Sequence, residues 1–247
     1  MFENRIFIGT SGWNYAHLSK TFYSNLKKNE HKLQHYSKFF NTVEVNSTFY
    51  KFFSSKVFEK WKDLVPNNFI YSFKCHKSIT HVKKLKNINE VLQLFFQQIK
   101  CFEKKSVVLF QFPASFIKND INFVLLKNLT ENIKNYKFFY AFELRHISWQ
   151  GDELFNFLKQ NNISLVYSHS KTYPLLDVQT ADFVYFRMHG PDKLYASEYS
   201  IDDLRNLAIK IKSYSKKNLT VFCYFNNDFN GYAVKNALLL KELLINF

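Results

Sequence analysis

Short apolar runs recur along the chain, separated by stretches in which apolar residues return every three or four positions. The runs are rich in β-branched and aromatic residues and are apolar on both faces, which is typical of strands buried in a parallel sheet. They predict eight strands, at 5–9, 42–46, 69–75, 107–111, 138–144, 163–167, 183–187 and 220–225.

Most of the stretches between these runs have helical periodicity. The clearest lies near 88–102, where Val91, Leu92, Phe95 and Ile99 share one face. The connection after the sixth strand contains Pro174 and lacks this periodicity, so we predict an irregular segment there. Further helices are predicted near 33–40, 54–64, 120–129, 151–160, 202–214 and 232–244.

Eight strands that alternate with helices predict one α/β domain over residues 1–247. The expected architecture is a single (β/α)8 TIM-like barrel that is irregular after strand six. An open doubly wound sheet has similar content and is the alternative, but the strand count and the closing C-terminal helix favour the barrel. A chain of 247 residues with 47% hydrophobic content is long enough to bury such a core.

Glycine is scarce in this chain, and its positions are informative. Each glycine lies at or just beyond the C-terminal end of a predicted strand. We expect each to meet a backbone need, either a positive φ or a close approach. The five positions are Gly9, Gly12, Gly151, Gly190 and Gly231.

Polar side chains recur where the predicted strands end, and a spacing of two puts each pair on one side of its strand. The carboxyl ends of barrel strands meet at one mouth, where active sites of this fold lie. We therefore predict a ligand or catalytic site there in preference to a purely structural polar network. The side chains are Glu44 with Asn46, Lys74 with His76, Glu143 with Arg145, Arg187 with His189, Asn226 with Asp228, and Gln111 alone.

Three of these side chains are cations, and arginine grips phosphate or carboxylate in a bidentate manner. The predicted substrate is a small anionic, phosphorylated or nucleotide-related molecule, and Lys74, Arg145 and Arg187 are predicted to hold it. The predicted catalytic residues are Glu44 and Glu143, as general base and acid, together with His189. Alternatively, each glutamate only balances a neighbouring cation, and its pKa then moves away from the working pH.

Aromatic residues flank the same motifs. Trp13 lies in the first loop of the expected mouth, and Tyr50 and Trp149 adjoin mouth motifs, so these rings are predicted to line the cavity. His81 is either a substrate-binding residue or a loop hydrogen-bonding residue. The residues predicted to orient the substrate are Asn46, Gln111, Asn226 and Asp228.

A series of motifs along the chain resembles that of the YecE-like family, a bacterial domain of unknown function. The resemblance covers essentially the whole chain in the right order, and it implies a TIM-like barrel with the motifs around one cavity. It implies no activity, and a likeness to endonuclease IV-like barrels is at the level of the fold alone. The motifs lie at 8–13, 40–50, 79–81, 111–113, 142–146 with Trp149, 187–190 and 224–228.

The net charge of +14 favours anionic partners, nucleic acid included. Lys and Asn are abundant throughout while Ala and Gly are scarce, so a bias in the coding DNA would produce the same charge. A non-catalytic nucleic-acid- or ligand-binding protein is therefore an alternative to an enzyme.

A metal-dependent phosphoesterase is the second alternative. Glu44, Glu143, His189 and Asp228 are acceptable metal ligands, with His76 or His81 as additions. The chain has no HxH or HExxH spacing, and three cations at one mouth would repel a metal, so we predict no metal site. The sequence leaves the cofactor and the oligomeric state open.

The cysteines and the apolar runs indicate the compartment. Cys75, Cys101 and Cys223 have no CxxC spacing and are expected to be reduced thiols of a cytoplasmic protein. No window approaches 18 uncharged apolar residues, so no membrane span is expected. Residues 1–5 run straight into an apolar strand, which predicts no signal peptide.

Overall fold

The structure, a computed structural model, describes residues 6–245. The chain alternates strands with helical segments, and all strand pairs described are parallel. Arg5, the predicted start of the first strand, lies outside the described residues. The strands are β1 Ile6–Thr10, β2 Thr42–Val45, β3 Ile70–Lys74, β4 Val107–Phe112, β5 Phe139–Leu144, β6 Ile163–Leu165, β7 Tyr167–His169, β8 Phe183–Met188 and β9 Thr220–Phe225.

The predicted helices are present, and short turns supplement them. Asn119 caps the N-terminus of one long helix by accepting from Asn122 N–H, and Ser200 forms a capping box with Asp203 at another. The α-helices are α1 Lys32–Tyr36, α2 Ser47–Tyr50, α3 Ser55–Asp63, α4 Asn89–Gln98, α5 Asp120–Ile133, α6 Asp152–Gln160, α7 Ile201–Lys216 and α8 Tyr232–Ile245.

The strands form two parallel sheets, so the predicted α/β class is confirmed. The orders are β2-β3-β4-β5-β6 and β1-β9-β8-β7. The sixth predicted strand is divided at Val166, whose N–H donates to the Phe142 carbonyl oxygen. This pairing does not show the single closed ring of eight strands that the sequence predicts. Residues 170–182, after β7, contain no helix, as expected for the irregular segment.

The first strands of the two sheets lie against each other. Ser11 and Glu44 form an isolated parallel bridge, and the Thr42 hydroxyl lies 2.6 Å from the Tyr224 hydroxyl. A Cβ on Gly9 would lie 2.3 Å from the Thr42 carbonyl oxygen, so only glycine permits this approach. The other four glycines have positive φ, and the prediction of a backbone need at each is confirmed.

Two hydrophobic clusters lie on the opposite faces of the strands. The larger packs the strands against the helices, and the smaller contains residues on the other face, among them Val107, Leu109, Tyr185 and Tyr224. Polar and charged side chains continue this inner face at the carboxyl ends of the strands. Within residues 6–245, no helix is both long and apolar enough to cross a membrane.

Candidate functional site

A buried ion-pair network joins the carboxyl ends of three strands. Arg187 of β8 donates to both carboxylate oxygens of Glu44 of β2, with Nε to Oε2 at 2.9 Å and Nη2 to Oε1 at 2.7 Å. Its Nη1 donates to Oε2 of Glu143 of β5 at 2.5 Å. All three side chains are fully buried. The structure therefore brings together the two predicted carboxylates and one of the three predicted cations.

Hydroxyl groups complete the coordination of Glu44. Ser11 Oγ donates to Oε1 at 2.6 Å, and Tyr185 Oη donates to Oε2 at 2.7 Å. Neither residue was among the predicted site residues. Tyr185 precedes Arg187 by two residues, so strand periodicity alone would have placed it on the same face. Ser11 lies within the motif at 8–13, but strand periodicity gave no reason to select it.

Glu143 lies at the centre of a second set of donors. Its Oε1 accepts from Arg145 Nε at 2.7 Å, from Ser168 Oγ at 3.3 Å and from His189 Nε2 at 3.3 Å. Because Arg187 donates to Oε2, both oxygens of the Glu143 carboxylate accept hydrogen bonds. Ser168, from the divided sixth strand, is a further residue that the sequence did not indicate.

The environment keeps both glutamates ionised at neutral pH. Burial alone would raise the pKa of Glu44, but the Arg187 guanidinium and the hydroxyl donors outweigh it and lower that pKa. For Glu143, burial is outweighed by Arg145 and Arg187, and the pKa lies well below its usual range. A general acid or base needs a pKa that moves towards the working pH. The geometry favours the charge-balancing alternative for both residues over the predicted proton transfer.

His189 is a buried, neutral member of the network. Its Nε2–H donates to Glu143, and its Nδ1 lies 3.1 Å from Nδ2 of Asn226. These two partners fix the tautomer, since the amide nitrogen is a donor. Burial lowers the pKa of His189 to about 4, although Glu143 opposes the shift. Asn226, a predicted substrate-orienting residue, thus orients an imidazole.

Arg145 is held differently from Arg187. Its Nε is paired with Glu143, while Nη1 and Nη2 lie 3.0 and 3.4 Å from the hydroxyls of Tyr173 and Tyr195. The guanidinium also stacks on the Tyr173 ring at 4.0 Å. The terminal nitrogens therefore meet phenols and no carboxylate. Both tyrosines come from irregular segments, which explains why periodicity did not reveal them.

Lys74, at the end of β3, differs from the two arginines in its contacts. Its Nζ lies 4.0 Å from the centroid of the Phe49 ring, and within residues 6–245 it has no hydrogen bond or ion pair. Only 9% of the residue is exposed. Burial, with the nearby Arg187 charge, lowers the pKa of Lys74 to about 7 against the opposing effect of both glutamates.

His81 and Gln111 lie beside Lys74. The two side chains meet at 3.2 Å between Nε2 atoms, and His81 sits in the π-helical turn Ser78–Val82. Burial lowers the pKa of His81 to about 4, and the charges of Lys74 and Arg145 add to the shift. Both residues thus belong to the site, with His81 uncharged.

Asn46 and Trp13 line a neighbouring cavity. β2 ends at Val45, so Asn46 does not extend the strand as predicted but begins α2 with helical φ and ψ. Trp149 does not line a cavity: it is fully buried, and its Nε1–H donates to the Phe116 carbonyl oxygen. The prediction for Trp149 is wrong because its loop folds the indole into the helix–strand core.

Asp228 lies apart from the buried ion pairs. It pairs with Nε2 of His17 at 3.2 Å, a histidine that the sequence did not single out. Burial raises the pKa of Asp228 to about 6, with His17 opposing the shift. Asn226 and Asp228 were predicted to lie on one side of a strand, but the structure places them in two separate environments.

The donor set does not resemble a metal centre. Within residues 6–245, no group of three or more His, Cys, Asp or Glu side chains is arranged to hold a metal ion. The oxygens of Glu44 and Glu143 accept instead from arginine, hydroxyl and imidazole donors.

These features define a mixed α/β protein with parallel sheets and a charged, buried site at the carboxyl ends of its strands. Residues 7–246 match the model of the family described as "Protein of unknown function DUF72". The chain belongs to this family, and the resemblance stated from its motifs is confirmed.

Relatives extend over the same length. The UPF0759 protein YunF of Bacillus subtilis (strain 168) is 24% identical over 275 residues, which cover 97% of this chain and 94% of that protein. A DUF72 family protein of Thermotoga maritima has a crystal structure that is 28% identical, with a TM-score of 0.86, covering 98% of this chain and 100% of that one. One from Enterococcus faecalis is 22% identical with a TM-score of 0.84, covering 97% and 95%.

Proposed function

We propose that this protein is an enzyme that acts on a small anionic carbonyl compound at the carboxyl ends of its strands, with the Lys74 amine as the reacting group. The observation that carries the proposal is the isolation of Lys74. The two arginines beside it are paired with carboxylates, whereas its own Nζ faces a phenyl ring.

An unpaired, buried lysine is suited to nucleophilic chemistry. Desolvation and neighbouring cations are the two means by which proteins activate an amine, and both act on Lys74. Because burial lowers the pKa of Lys74 to about 7, part of the amine is neutral at neutral pH. The neutral nitrogen adds to a carbonyl carbon, and the carbinolamine then loses the carbonyl oxygen as water to leave an imine.

The anionic group of the substrate would meet Arg145. Two arginines and two glutamates balance one another, so the network itself carries no excess of positive charge until Lys74 is protonated. The Arg145 terminal nitrogens contact only phenols, and an anion that replaced the two tyrosine hydroxyls would gain a bidentate, charge-assisted contact. His81 and Gln111 would orient the carbonyl.

Trapping of the imine tests the proposal. The protein is incubated with glyoxylate, an anionic aldehyde, and with cyanoborohydride, and the labelled lysines are mapped by mass spectrometry. Lys74 should be labelled in preference to exposed lysines, with a rate that levels off above about pH 7. The Lys77→Met variant controls for a nearby exposed lysine. Labelling of Lys74 no faster than that of surface lysines would refute its role.

The anionic preference is tested separately. Arg145→Gln should reduce labelling by glyoxylate more than labelling by acetaldehyde, which lacks the carboxylate. The ratio of the two rates is the readout, because loss of a neighbouring cation also changes the Lys74 amine itself. An unchanged ratio would remove Arg145 from substrate binding while leaving the Lys74 proposal intact.

We further infer that residues 1–247 form one domain in which the two sheets close into a single barrel. The bridge between Ser11 and Glu44 supports closure on one side, and the continuity of β6 and β7 through Val166 supports it on the other. In such a barrel the ends of β2, β3, β5 and β8 surround one opening, which is where Lys74 lies.

A further inference from the structure

An aromatic cavity lies beside the site and has no part in the chemistry proposed above. Its volume is about 360 Å³, within the range of small-molecule sites. Helix α2 separates it from Lys74: Phe49 packs against the lysine, while the next residue, Tyr50, faces the cavity. The main aromatic lining residues are Trp13, Tyr15, Tyr50, Phe53 and Trp61.

The walls present rings to a ligand in a fixed arrangement. Trp13 is buried and meets Trp61 edge to face, with ring centroids 5.0 Å apart. Phe53 also packs edge to face on Trp61 at 5.5 Å. Tyr50, by contrast, is 64% exposed and forms the outer edge. Aromatic walls that are buried on one side and open to solvent on the other can bury the faces of a flat ring.

One polar group in the wall lacks a partner. The Asn46 amide is oriented by its Nδ2, which donates to the Ser11 carbonyl oxygen at 3.3 Å. Its Oδ1 is buried and accepts no hydrogen bond. A buried acceptor without a donor keeps the cost of losing its hydration uncompensated. A ligand N–H that reached Oδ1 would remove this cost.

We propose that this cavity binds a planar heterocycle that carries a ring N–H, as do the bases of the nucleosides inosine and uridine. The aromatic walls bury the ring faces, and the Asn46 Oδ1 accepts from the ring N–H. The site is distinct from Lys74, so ring binding and imine formation stand or fall separately.

Methylated probes test the hydrogen bond directly. Binding of inosine and uridine is measured by calorimetry and compared with 1-methylinosine and 3-methyluridine, which lack the ring N–H. Tryptophan fluorescence gives a second readout, because Trp13 and Trp61 line the cavity and Trp149 is buried elsewhere. At least one parent nucleoside should bind at least tenfold more tightly than its methylated form.

Variants locate the binding. Tyr50→Ala and Asn46→Ala should each weaken binding at least tenfold, whereas Phe229→Ala, which removes an exposed ring outside the cavity, and Lys74→Met should not. Circular dichroism checks that each variant is folded. The proposal would be overturned if neither inosine nor uridine bound at millimolar concentration. Equal affinity for the methylated forms, binding that Asn46→Ala and Tyr50→Ala leave unchanged, or binding of glucose in place of the nucleosides would also overturn it.

Discussion

Arg187 donates from two nitrogens to the two oxygens of Glu44, at 2.9 and 2.7 Å, although the residues are 143 positions apart in the chain. Neither side chain is exposed to solvent. Water is thus unavailable to solvate either charge, and each depends on the other. The two side chains thereby join β2 and β8, which belong to different sheets.

Neutralising Glu44 should damage stability. Glu44→Gln leaves Arg187 buried with one carboxylate fewer, and breaking such a pair costs about 3–5 kcal/mol. Urea unfolding followed by tryptophan fluorescence measures the loss. The catalytic role predicted from the sequence would instead leave folding largely intact, so a loss below about 1 kcal/mol would contradict the structural role. Glu153→Gln, at an exposed pair with Lys118, is the control and should change stability by less than about 1 kcal/mol.

Acid should begin to destabilise the protein through His189. Its folded pKa is about 4 and its unfolded pKa is about 6.5, so between these values only the unfolded state binds the proton. Stability should therefore fall as the pH drops from 6.5 to 4, by at most about 3 kcal/mol from this residue. Urea midpoints across this range should show a smaller slope in His189→Gln. An equal slope in both proteins would mean that His189 is not neutral in the fold.

Glu143 should affect the pH dependence of stability at a lower pH than His189. The pKa of Glu143 is lowered well below its usual range, so its contribution is present above the unfolded pKa and is lost as the pH falls through the folded pKa. Glu143→Gln should be less stable than the wild type at pH 7 and should approach it in strongly acidic solution. A difference that did not shrink on acidification would contradict this linkage.

Removing the Lys74 charge should stabilise the fold. The folded pKa is about 7 and the unfolded pKa is about 10.4, so the cost of burying the ammonium is complete below pH 7 and disappears as the pH rises to 10.4. Lys74→Met should gain at most about 5 kcal/mol at pH 6 and less at pH 9.5. Urea unfolding at both pH values measures the gain, with Lys77→Met as the exposed control. A gain independent of pH would contradict the shifted pKa.

The contact between β1 and β2 should require glycine. Gly9→Ala places a Cβ 2.3 Å from the Thr42 carbonyl oxygen and should cost about 1–3 kcal/mol or more, because neither strand is free to move. Gly231→Ala is the comparison: its added Cβ makes only an ordinary contact, so the cost there comes from its φ of 78° and should be about 1 kcal/mol. Equal effects of the two substitutions on urea unfolding would show that the strands separate easily.

The sequence by itself determined the strands, most helices and the end of the sheets at which the polar residues gather. Those features depend on local periodicity, since a buried parallel strand is apolar on both faces and changes character where it ends. Trp13, Tyr50 and Asn46 were predicted to line the mouth itself, whereas the structure places them on the aromatic cavity beside it. The motifs also carried the family resemblance, because a motif is recognised from the order of residues along the chain and not from distances between atoms.

Only the tertiary structure decided which charges are paired. The sequence presented Lys74, Arg145 and Arg187 as three equivalent cations, whereas the fold neutralises Arg187 with two carboxylates, leaves the Arg145 terminal nitrogens on two tyrosines and isolates Lys74 beside Phe49. Coulombic interaction and desolvation depend on distance through space and on exclusion of water. Neither quantity exists until strands far apart in the chain have packed, so the isolation of Lys74 emerged from the structure alone.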